Sequence, residues 1–173
     1  MRHFVFMFIL VLTGFYSYGN HPDLAQDSVR LPKVFLLGEY EVQMDQQSLV
    51  HSTNLLKACD DDIELAYAKW ISMVKEIEAY AKKIEFDING VKVWLNVFYS
   101  SNGKIAHIGY HLKPNSRNIS KAEFAAFLRS FVNNYTFPHT YDKPFSHYGS
   151  AGFPTFAFEG SRPDTSSAGK GQQ

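Results

Sequence analysis

The chain has 173 residues, 17 basic against 17 acidic side chains, a formal net charge of zero and 16% aromatic residues. That length suits one domain around one core. A neutral chain without a basic block has no electrostatic attraction for nucleic acid or for an anionic membrane.

Arg2 and His3 open the chain with positive charge, and Phe4 to Leu12 is an unbroken apolar run. The run is shorter than the roughly 20 apolar residues of a membrane span and fits the apolar core of a signal peptide. Ser17-Tyr18-Gly19 puts small residues where a signal peptidase reads, so residues 1–19 are expected to be cleaved ahead of Asn20. The mature protein is then expected to be exported, periplasmic or secreted, with no transmembrane segment. Residues 20–32, with Pro22 and Pro32, read as a loose leader. Val34 to Leu37 reads as a short strand or the lead-in to a helix, and Glu39 to Leu49 carries only a weak helical stripe. Cys59 is the only cysteine, so no internal disulfide is available, and it reads as a small buried hydrophobe.

A helix is expected over 61–83, capped by Asp60 or Asp61. Ile63, Tyr67, Trp70, Val74, Ile77, Ala81 and Ile84 recur at three- and four-residue spacing and make one apolar stripe. The acids Asp60 to Asp62 lack the ligand ladder and glycine of a calcium loop, so neither a metal nor a cofactor is expected there. A hairpin follows, with strands over 91–99 and 104–112 joined at Ser101-Asn102-Gly103. Val93, Leu95 and Val97 would lie on one face, Trp94 and Phe98 on the other. Either both faces are covered or one is a binding surface. Ser120 and Glu123 form a capping box that opens a second helix over 120–134. Residues 139–152 read as a loop, and Phe153 to Phe158 as a closing strand that Pro154 confines to an edge. Residues 160–173, rich in Ser, Gly and Gln, read as a disordered tail.

The expected domain therefore spans 33–159. Its class is α+β: a small antiparallel sheet of three to four strands with the helices 61–83 and 120–134 packed on one face.

Signatures of chemistry are sparse. There is no G-x-S-x-G, no phosphate-cradling glycine loop and no H-E-x-x-H. His107 and His111 share a strand face roughly 13 Å apart, too far to ligate one metal. His139 and His147 fall in the 139–152 segment, where Ser146-His147 is the nearest thing to a nucleophile and base. Three functions stay open. The first is a non-enzymatic module that binds a protein or peptide of the cell envelope through Trp94, Phe98, Tyr99 and Tyr110. The second is a carrier of a small apolar ligand, with a pocket between sheet and long helix. The third is a small hydrolase using the 139–150 segment.

Gly90-Val91-Lys92-Val93-Trp94-Leu95-Asn96-Val97, Asn102-Gly103-Lys104-Ile105, the capped helix 120–134 and its exit Tyr135-Thr136-Phe137-Pro138 occur in that order. Together they resemble the C-terminal domain of TonB-type periplasmic proteins. Over residues 90–158 the resemblance implies a β-β-α-β unit and a protein-binding module whose sheet edge accepts an extended peptide.

Overall fold

The computed structural model describes residues 30–156; the expected signal peptide, most of the leader, the tail and the end of the expected closing strand lie outside the described residues. Among the described residues there are five strands and four helices. In chain order they are β1 (Val34–Leu36), α1 (Glu41–Val50), β2 (Thr53–Asn54), α2 (Leu55–Ala58), α3 (Ile63–Lys83), β3 (Lys92–Tyr99), β4 (Ile105–Leu112), α4 (Lys121–Asn134) and β5 (Phe145–Gly152). The class is α+β, as expected, but the sheet is mixed rather than wholly antiparallel and has five strands in the order β1-β4-β3-β5-β2.

The hairpin forms as expected. Val93 pairs with Leu112, Leu95 with Tyr110 and Val97 with Ile108. At the turn, Gly103 takes φ +81 and donates its N–H to the Ser100 carbonyl at 2.9 Å. Two short edge strands then flank the antiparallel centre. β1 lies parallel to β4, and β2 lies parallel to β5 at Thr53–Phe145 and Asn54–Ser146. At three and two residues, β1 and β2 are too short to print an alternating pattern.

The closing strand lies elsewhere than expected. β5 occupies the second half of the segment read as a loop and pairs with β3 from Tyr99–Phe145 to Lys92–Gly152. Its sequence, Phe-Ser-His-Tyr-Gly-Ser-Ala-Gly, has no β-branched residue and two glycines, so composition hides it. Phe153 is the last residue bonded to the sheet, giving its N–H to Val91 at 2.9 Å, and 154–156 are not strand.

The two expected helices are present, and α1 and α2 add to them. Asp62, not Asp60 or Asp61, caps α3, its Oδ1 accepting from the Leu65 N–H at 2.9 Å. Asp60 and Asp61 instead take left-handed φ values of 56 and 63 in the turn leaving α2. Ser120 caps α4 through the Glu123 N–H at 3.3 Å.

Both long helices cover the same sheet face. Trp70, Met73, Val74 and Ile77 of α3 and Phe124, Phe127, Leu128 and Phe131 of α4 are buried in one cluster with Val93, Leu95, Val97, Ile108 and Tyr110. Hydrophobic burial of this kind contributes about 1.5–3 kcal/mol per large side chain. The opposite, outer face is covered only in part: Phe98 lies under His51 (ring centroids 5.2 Å), and Phe35 lies against Gly109 and Tyr40. No α1 residue is buried.

A methyl group on Gly103 would strike the Phe137 carbonyl oxygen and meet that of His139 at 2.9 Å, at a positive φ. Gly103→Ala is expected to destabilise the domain by about 1–3 kcal/mol, read as a lowered urea midpoint with an unchanged slope.

Candidate functional site

The site grows from an unfinished sheet edge. β2 covers only Phe145 and Ser146 of the eight-residue β5. It stops because Asn54 turns into a helix cap, its Oδ1 accepting from the Lys57 N–H at 2.8 Å. Beyond Ser146, β5 has no neighbour on that side among the described residues. Phe153 bonds to Val91, and the Lys92 carbonyl is taken by Lys113 on the β4 side. Alternation then turns the backbone of Ala151, Gly149 and His147 toward β3, and that of Tyr148, Ser150 and Gly152 outward to the free edge. β5 carries no Lys, Glu or Asp, and no proline, the usual devices that keep an edge strand from pairing.

Beside this edge opens a cleft of about 750 Å³. Its floor is the pair Trp70 and His147, with ring centroids 4.5 Å apart. Trp70 reaches the sheet there because residue 149 is glycine; a Cβ would lie 2.8 Å from the indole. One wall is the start of α3, where Ile63 is 70% exposed and Tyr67 53% exposed. The other wall is formed by Phe98 and Tyr148. Amides and hydroxyls from Asn54, Asn96, Ser48 and Ser146 complete the lining, and no carboxylate, lysine or arginine belongs to it.

The four aromatic residues singled out from sequence separate. Trp94 is 37% exposed on the outer face, stacked on Tyr148 at 5.7 Å and 6°, with the Lys113 Nζ 4.1 Å above its ring. Phe98 is buried, yet its ring lines the cleft. Tyr99 and Tyr110 lie in the core: the Tyr99 hydroxyl donates to the Met73 sulfur at 3.0 Å, and the Tyr110 hydroxyl to the Lys121 carbonyl at 2.7 Å. Neither has surface to offer a partner. Sequence reasoning missed Tyr148, which lies in a segment that reads as a loop, and singled out His147 only as a candidate base beside Ser146. It placed Ile63, Tyr67 and Trp70 in the core stripe, where only Trp70 is buried.

Nucleophile geometry is unfavourable. Ser146 and His147 are successive strand residues whose side chains leave opposite faces, and the Ser146 hydroxyl donates to the His51 carbonyl at 3.1 Å. His139 Nε2 lies 2.7 Å from the Ala58 carbonyl and 4.0 Å from the Cys59 sulfur. A carbonyl only accepts, so Nε2 carries the proton and cannot take one from the thiol. Burial pushes the Cys59 pKa up, further from the reactive thiolate. Among the described residues no group of three or more His, Cys, Asp or Glu side chains is placed to hold a metal ion.

No protein-family model, curated protein or solved structure matches this chain. Among the described residues, no helix is long and apolar enough to cross a membrane.

Burial lowers the pKa of both His147 and His51; at His51 a hydrogen bond to the Gln47 carbonyl opposes it in part. The unfolded chain therefore binds more protons than the native one as the pH falls through the ordinary histidine range, near 6.5. Stability is expected to be fully present above that range and to decline as the pH drops below it. Urea midpoints at neutral and mildly acidic pH check the sign, and His147→Gln should flatten part of the slope.

Proposed function

We propose that the domain is a non-enzymatic module that binds a protein or peptide partner, taking an extended segment of it along the free edge of β5. One observation carries the reading: outward-facing backbone groups at Tyr148, Ser150 and Gly152 stand directly beside an uncharged, aromatic-lined cleft. Unpaired strand amides and carbonyls are matched by another polypeptide strand, whose alternate side chains then fall on the two sides of the sheet. On one side such a side chain meets Trp70 and Tyr67, and on the other the Trp94–Tyr148 stack. The resemblance of residues 90–158 to a TonB-type C-terminal domain supports the same mode of binding. The signal-peptide reading of residues 1–19 puts the encounter in the cell envelope or outside the cell.

The cleft volume of about 750 Å³ also falls in the range of small-molecule sites. It supports a second reading, a carrier of a small apolar ligand. The free edge favours the first, because a carrier does not use the backbone of β5.

The test is selection of phage-displayed random peptides on the mature protein, followed by affinity measurements on variants. Ser150→Pro removes one outward N–H without touching the β3 ladder, as proline is tolerated on an edge. It is expected to weaken selected peptides about tenfold while the circular dichroism spectrum is retained. Recovery of no peptide, or of peptides indifferent to Ser150→Pro, would refute strand pairing at this edge.

Trp94→Ala is expected to leave a folded domain, because the ring is part-exposed and outside the main core, and to weaken peptides that reach the outer face. Outright unfolding of Trp94→Ala would assign the ring to stability instead.

A further inference from the structure

Among the described residues four histidines are buried or part-buried, and they are not held alike. His51, His107 and His139 each engage a backbone carbonyl, of Gln47 at 2.9 Å, Pro32 at 2.9 Å and Ala58 at 2.7 Å. The His147 ring has no such anchor among the described residues. It packs at a tilt against Trp70, ring centroids 4.5 Å apart and planes at 53°, and both rings line the cleft. No neighbouring charge compensates it. From α3 the phenol of Tyr67 faces the cleft and from β5 that of Tyr148, while β3, α1, α2 and β2 bring only amide, hydroxyl and apolar side chains.

Resting on the proposed binding cleft, we infer that the cleft takes an uncharged, bulky apolar side chain of the partner and releases it when His147 gains a proton. An apolar group seated on the floor strips water from the imidazole. The neutral ring tolerates that loss, whereas an imidazolium without a carboxylate nearby does not. Ligand and proton therefore compete for His147, and linkage makes the competition reciprocal. Burial already lowers the pKa of the ring. The indole face of Trp70 attracts a cation, which keeps protonation within reach of mild acid. The same lining argues for the chemistry of the partner. With no lysine, arginine or carboxylate present, a charged side chain would lose its hydration and gain no counterion.

The experiment uses Nile red, a neutral apolar dye, titrated with the mature protein by fluorescence from about pH 8 to about pH 5. Affinity is expected to fall by about fivefold or more across that range. In His147→Gln, measured against its own affinity at the alkaline end, the pH dependence should be lost. His51→Gln should retain the dependence, which separates the cleft from the other buried histidine. Near-ultraviolet circular dichroism at each pH confirms that the native packing persists. A pH-independent affinity in the native protein, or an undiminished acid loss in His147→Gln, would overturn acid release while leaving the cleft as a binding site. Absence of dye binding at the alkaline end would overturn this inference and the binding reading of the cleft together.

Discussion

Asn54 is where two structures compete for one residue. It ends β2 as the partner of Ser146 and begins α2 as its N-cap, with its side-chain oxygen on the Lys57 N–H. A short polar side chain that satisfies the first turn of a helix stops the strand before it. β5 is therefore covered for two residues of its eight. The chain then passes through α2 and the left-handed pair Asp60–Asp61 before α3 returns over the inner face. Its first turns, bearing Ile63 and Tyr67, stand at the cleft mouth rather than over the core. Both the open edge and the apolar cleft follow from that early stop.

The central architecture was legible because several local signals agreed. β3 and β4 combine β-branched and aromatic composition with Asn102-Gly103 at the turn, and α4 joins a cap to a clean stripe. At the edges only β1 showed, as one of two readings of the apolar run 34–37, and the rest was hidden for physical reasons. β1 and β2 owe their strand state to partners distant in sequence, and neither is long enough to show a period. β5 is held by eight register pairs with β3, so its poor intrinsic preference is overridden by pairing. Gly149, which reads as a loop residue, is required in the strand for the opposite reason: it makes room for Trp70.

The aromatic residues of the hairpin show how far alternation carries. Trp94 and Phe98 do share the outer face, as period two requires, yet one is half-open and the other buried under His51. Phe98 and Tyr99, adjacent in sequence, are both buried because opposite faces cover them, and the register shifts between them. Tyr99 is stacked on Phe145 at 4.8 Å, in a strand whose composition reads as a loop. Its burial could not be inferred without β5. A strand pattern thus assigns side chains to faces, while the covering of each face is decided by elements that the pattern does not name.

The α3 stripe carries the same lesson to the site. Periodicity marks Ile63, Tyr67, Trp70, Val74 and Ile77 as one surface that gains by leaving water. It does not say whose atoms replace the water. From Trp70 onward the sheet supplies them; before it, the sheet has ended and Ile63 and Tyr67 stay exposed. On the proposed reading, a helix face that continues past the edge of its own core is one half of an interface, matched in chemistry to what it already packs against. Here the adjoining surface is the outer edge of β5, free beyond Ser146 among the described residues and without charged side chains. On the same reading, the complement of such an edge beside an apolar helix face is another strand with apolar side chains, so edge and stripe call for the same occupant.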